Sequence, residues 1–171
     1  VPTLAPPNIS SAKLGYIGFA LDMFGGAKVG TSVAENTALI TPFMQDRSLL
    51  LQRMTAALHT AQNLKQVDKK RIGAIGFCFG GLCALDLARS GADIAGIVSF
   101  HGLLSPPQML PNEKITAKIL ALHGYDDPMA TPDQLIAFAK EMTESQADWQ
   151  VHAYGNTQHA LTNPQAHDEK L

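Results

Sequence analysis

Cysteine is scarce in this chain: Cys78 and Cys83 are the only two among 171 residues. Two thiols so close in sequence build no disulfide framework, and no cysteine spacing matches a zinc site. With one of them in the reactive setting described below, this usage points to a reducing compartment and a cytoplasmic protein. An excess of charge is also lacking. The net charge is −2, and without a basic cluster there is no electrostatic footprint for nucleic acid or an anionic membrane. No apolar run approaches the length of a membrane span. Internal repeats are absent, and biased composition is confined to Val1–Ser11 (VPTLAPPNISS), which has neither the basic nor the apolar region of a signal peptide.

What is present suits a globular chain. An apolar fraction of 46% against 16% charged residues fits a compact α/β protein rather than a disordered one. The length fits one domain, residues 14–171, after an irregular Pro-rich segment, residues 1–13. Strands alternate with helices throughout, so a mostly parallel sheet covered on both faces is expected. Tyr16–Leu21 reads as a strand ending before a Gly25-Gly26 turn. Ser32-Val33-Ala34-Glu35 has capping-box spacing and opens a helix to Met44. A second helix over 46–64 carries Leu50, Met54, Ala57, Ala61 and Leu64 as its apolar stripe.

Gly76-Phe77-Cys78-Phe79-Gly80-Gly81 lies between an apolar strand over 71–77 and a helix over 82–89 that closes at Gly91. Gly-x-Cys-x-Gly in that setting is a nucleophile-elbow pattern with sulfur in place of the usual serine oxygen. The turn is sharp enough that glycine is expected at both 76 and 80 on steric grounds. The helix N-terminus that follows favours a thiolate and a developing oxyanion. The competing reading is a glycine-rich turn around a buried, inert thiol.

Two later segments bear on that choice. A strand over 117–122 runs into His123-Gly124-Tyr125-Asp126-Asp127-Pro128, and a strand over 149–154 runs into Gly155-Asn156-Thr157-Gln158-His159-Ala160. Ile94–Phe100 reads as a central strand, 106–114 as a surface loop, and Thr131-Pro132-Asp133-Gln134 as a capped start of a helix to Ser145. The order is thus Cys, Asp, His, each just after a strand, which is the order of the triad in α/β-hydrolases.

The chain resembles the dienelactone hydrolases, the carboxymethylenebutenolidase-like family. The matching stretches are LGYIGFALDMFG at 14–25, GFCFGGLCALDLA at 76–88, VSFHGLL at 98–104, LHGYDDP at 122–128 and YGNTQHALTNP at 154–164. The resemblance implies a three-layer α/β/α sandwich of the α/β-hydrolase fold, and a Cys-His-Asp triad cleaving an ester or lactone. It also implies strands before residue 14 and a helix after the His159 loop, so the sequence is expected to be truncated at both ends. Residues 1–171 alone are expected to be aggregation-prone and nearly inactive.

Within this frame Cys78 is the expected nucleophile and His159 its base. Asp127 is the expected orienting acid by the family's His-Gly-x-x-Asp spacing from His123, with Asp126 as the alternative. The backbone N–H of Phe79 is one expected oxyanion donor. The family's second donor and its helper glutamate match nothing in this chain. His101 is a candidate for the substrate pocket. His59, His152 and His167 read as surface or packing residues, His123 as a shaper of the turn, and Cys83 as core. Asp46-Arg47 reads as a helix start with a solvated cation, not a substrate clamp. The expected function is hydrolysis of a small-molecule ester or lactone through a thioester, by a monomer with no metal, no organic cofactor, and no nucleic-acid or membrane partner. A non-catalytic fragment of the same fold and a redox-sensing thiol protein are the rivals.

Overall fold

The structure, a computed structural model, describes residues 13–108, 114–164 and 166. The segment Val1–Ser11, residues 109–113 of the expected surface loop, and His167 lie outside the described residues. Helices α1 (Val33–Gln45) and α2 (Arg47–Gln62) precede β1 (Gly73–Phe77), α3 (Phe79–Arg89), β2 (Gly96–Phe100), β3 (Lys118–Gly124), α4 (Pro132–Glu144) and β4 (Asp148–Tyr154). The chain divides into two compact units, Val1–Lys69 and Lys70–Leu171.

In the first unit, caps set both helix starts. Ser32 Oγ accepts from Glu35 N–H at 3.2 Å, while Glu35 Oε2 accepts from Thr31 N–H at 2.7 Å, so the reciprocal half of the box is displaced by one residue. Asp46 caps α2, its Oδ1 accepting from the N–H groups of Ser48 and Leu49. The buried stripe of α2 is Leu50, Met54, Leu58 and Ala61. Ala57 stands half-buried beside it and Leu64 is exposed, because a 3.6-residue repeat from Leu50 arrives at 58 and 61. The strand expected over 16–21 does not form. Those residues join no ladder, and Tyr16, Ile17 and Phe19 are exposed; apolar composition makes a strand only where a neighbour pairs with it. The turn after it does form, with Asp22 Oδ1 and Oδ2 accepting from Gly25 and Ala27 N–H, and positive φ at residues 25–27.

The second unit is a four-stranded, all-parallel sheet in the order β1-β2-β3-β4. The register aligns Phe77, Phe100, Leu122 and His152, and β3 and β4 run on together to Gly124 and Tyr154, so the parallel strands deliver their following loops to one edge. The order runs in one direction, and right-handed crossovers then place α3 and α4 on the same face. Ser99 faces α3 closely: a Cβ on Gly81 would lie 2.5 Å from its Oγ. Ile97, Ser99, Ile119 and Ala121 are buried on this side, while Ile75 and Phe77 on the opposite side of β1 are exposed. Arg89 ties the layer together. Its Nε and Nη2 donate to the two carboxylate oxygens of Glu141 on α4, Nη1 to Asp86, and Nη2 also to the Leu104 carbonyl. The architecture is an α/β fold with a parallel sheet flanked by helices, the α/β-hydrolase arrangement.

Candidate active site

Cys78 stands between β1 and α3 with φ 52° and ψ −119°, a conformation that costs an L-residue roughly 1–3 kcal/mol. Its surroundings hold it there. Its N–H continues the sheet to the Phe100 carbonyl at 3.0 Å, and its carbonyl accepts from Gly81 N–H at 2.9 Å as the first turn of α3. Gly76 is required, since a Cβ there would meet the Gly80 carbonyl oxygen at 2.0 Å. The steric expectation for Gly80 is corrected: a Cβ at 80 meets nothing within 4 Å, and the second crowded glycine is Gly81. The reason is that Gly80 contributes its backbone to the crowding at Gly76, while Gly81 faces Ser99 and Gly102. Cys78 is half-buried and Cys83 fully buried in α3. Phe79, whose N–H is the expected oxyanion donor, is the first residue of that helix.

Asp127 and His159 meet from the loops after β3 and β4. His159 Nδ1 lies 2.7 Å from Asp127 Oδ2, and Asp127 Oδ1 accepts from Met129 N–H at 2.8 Å. Asp127 is buried, whereas Asp126 is exposed and uses its backbone N–H on the Thr157 carbonyl. That bond, with Tyr125 N–H on the Tyr154 carbonyl, laces the two loops together. Gly124 permits the approach, because a Cβ there would fall 2.4 Å from the Gln158 carbonyl oxygen and 2.5 Å from that of Thr157. His159 Nε2 is buried and has no hydrogen-bond partner in the structure. The nearby Cys78 thiol, first, and the Asp127 carboxylate raise the imidazole to about 9, against the opposing effect of burial.

His101 follows β2 with φ 39° and is buried. Its Nε2 lies 3.0 Å from Thr162 Oγ1, and its ring packs edge-to-face on His159 with centroids 4.9 Å apart. Burial, and then the neighbouring His159, lower its pKa. His123 is buried at the end of β3, and burial lowers its pKa as well. His59 and His152 are exposed. Among the described residues no three His, Cys, Asp or Glu side chains are grouped so as to hold a metal ion. Thr162, Gly124 and Gly81 escaped sequence analysis. Thr162 and Gly124 each carry one sign of interest, their place within a motif segment, but the contacts that matter are to loops distant in sequence.

No helix among the described residues is long and apolar enough to cross a membrane. The pattern of the dienelactone hydrolase family matches residues 8–170. The chain is 36% identical over 119 residues to an uncharacterized protein of Caenorhabditis elegans, covering 68% of this chain and 75% of that one. It is 30% identical over 163 residues to a probable 2-oxo-3-(5-oxofuran-2-ylidene)propanoate lactonase of Bradyrhizobium, covering 90% and 65%. Among solved structures, the dienelactone hydrolase-like promiscuous phosphotriesterase P91 from metagenomic libraries superposes with a TM-score of 0.85 at 37% identity, over 94% of this chain and 66% of that one. The chain thus spans about two thirds of the length of the last two relatives. With the elbow sequence, the parallel sheet and this match over nearly its whole length, the chain belongs to the dienelactone hydrolase family.

Proposed function

We propose that the protein hydrolyses carboxylic esters or lactones with Cys78 as nucleophile, His159 as proton carrier and Asp127 as the acid that orients it. The observation that carries this reading is the state of His159. One ring nitrogen is engaged by a buried carboxylate, the other is buried without a partner, and the Cys78 thiol is the largest influence raising the ring's pKa to about 9. A more basic imidazole favours transfer of the thiol's proton to Nε2 when the sulfur attacks.

The steps follow from that starting point. With its proton passed to His159 Nε2, the Cys78 sulfur attacks the carbonyl carbon, and the electron pair of the C=O bond moves onto oxygen, where the Phe79 N–H stabilises it. The tetrahedral intermediate collapses as the C–O bond to the leaving group breaks. His159 Nε2–H protonates the departing oxygen, leaving a thioester on Cys78 and a neutral imidazole. Water then attacks the thioester while Nε2 takes its proton, and loss of the thiolate releases the acid and restores the ion pair. Asp127 holds Nδ1–H throughout and stabilises the imidazolium. In a lactone the leaving oxygen stays tethered to the acyl group, so one ring-opened product forms. A lactone is the substrate class named for the Bradyrhizobium relative.

The test is turnover of a dienelactone, a saturated lactone, an aryl ester and a phosphotriester by the protein and its Cys78→Ala variant. Hydrolysis of an ester or lactone that disappears in the variant is the expected result. Turnover that persists undiminished without the thiol overturns the reading.

A further inference from the structure

We propose that His101 and Thr162 form a positioning pair for His159, with the His101 ring packed against the imidazole and the Thr162 hydroxyl tying the segment after His159 to the end of β2. The inference rests on the reading of His159 as the proton carrier and adds a part to that machinery.

His101 is a candidate for the substrate pocket on sequence, and its environment suits a support. It is 5% exposed, and its ring lies against His159 and, on another side, against Phe77 of β1. The residue adopts φ 39°, uncommon for a non-glycine, while its N–H donates to the Leu122 carbonyl at 2.8 Å, the last ladder bond of β2. Backbone strain of this kind persists only where neighbouring contacts over-determine it. Here they are the sheet on the backbone side and the Thr162 hydroxyl at 3.0 Å on the ring side.

His159 is then constrained on two sides. Nδ1 is fixed by Asp127, Nε2 is the nitrogen left for sulfur and substrate, and the His101 ring blocks rotation away from both. The chain around it is anchored on both flanks. Thr157 receives the Asp126 N–H two residues before, and Thr162 reaches His101 three residues after. A neutral imidazole is suited to this place. A phenylalanine would keep the ring contact and lose the hydroxyl, and a cation would repel the imidazolium of His159. The charged or titratable groups that act on His101 are His159 and Asp127, and burial together with His159 keeps it neutral.

The experiment is an imidazole NMR titration of His159, with steady-state kinetics on whichever ester is turned over, for Thr162→Val, Thr162→Ser and His101→Phe. Thr162 is exposed, so its substitution leaves the core intact. In Thr162→Val and His101→Phe the His159 midpoint, about 9 in the parent, should move down toward the ordinary 6.5. With it kcat should fall about tenfold while KM stays within about twofold, and Thr162→Ser should restore both. If Thr162→Val and His101→Phe titrate and turn over like the parent, the positioning role is overturned. If instead Cys78→Ala still hydrolyses the ester, the proposed function fails, and the titration still decides whether the pair holds His159.

Discussion

The raised pKa of His159 makes the site's pH behaviour predictable in sign. A histidine whose pKa is raised in the folded state stabilises that state by its bound proton. That contribution is complete below about 6.5 and is lost as pH rises through about 9. Urea unfolding followed between about pH 6 and about pH 10, which brackets that window, should show stability falling on the alkaline side, with the fall reduced in Cys78→Ala. Activity should lose its alkaline limb near the same midpoint, because the leaving oxygen then lacks its proton donor. The two adjacent carboxylates give a second test. Asp127 is buried on His159 and Asp126 is exposed. Asp127→Asn should therefore lower kcat by about 10²–10⁴ and Asp126→Asn should leave it within about threefold. Reversed effects would transfer the role to Asp126. The pair shows what sequence resolves. Spacing from His123 favours Asp127, but only burial and a 2.7 Å contact distinguish the two chemically. Thr162 was beyond reach, since an exposed threonine in a polar loop carries no mark of its contact with His101.

Local rules were readable where the cause is local. Ser32, Asp46 and Thr131 start the three helices expected of them, and Gly91 at φ 70° ends α3 as the left-handed residue after the cap. The segment over 16–21 failed because strand formation depends on a partner that composition does not reveal. The Arg89 clamp was invisible for the same reason, since Glu141 is 52 positions away. Its energetics are specific. Arg89 is buried with a buried Asp86, a partly buried Glu141 and the Leu104 carbonyl, and its guanidinium lies 5.9 Å from the Phe138 ring centroid. Arg89→Ala leaves the Asp86 carboxylate in the interior without this cation. Urea denaturation should show a loss of about 3–5 kcal/mol, the range for breaking one side of a buried ion pair. A loss below about 1 kcal/mol would mean that α3 and α4 are held by their apolar contacts alone.

At the level of the whole molecule, family membership was legible because five motif segments lie in order along the chain, and the elbow strand and helix fix what stands at the sheet's end. The register then explains why residues far apart in sequence meet. Cys78, His101, Asp127 and His159 all follow parallel strands held in register at Phe77, Phe100, Leu122 and His152, with β3 and β4 running two residues further, so four loops converge on one edge. What could not be read was the division into two compact units, because the boundary falls within the short 3-10 helix Lys69–Arg71, which has no linker composition to mark it. The account turns on one covalent species, a thioester between substrate acyl group and Cys78. Mixing the protein with an aryl ester, quenching in acid during turnover and measuring the intact mass, followed by peptide mapping, tests it directly. The account predicts a single acyl adduct on the peptide containing Cys78, enriched in Asp127→Asn, where water attack is slowed, and absent in Cys78→Ala. An adduct on Cys83 or a hydroxyl, or steady hydrolysis with no adduct in any of these variants, would contradict it.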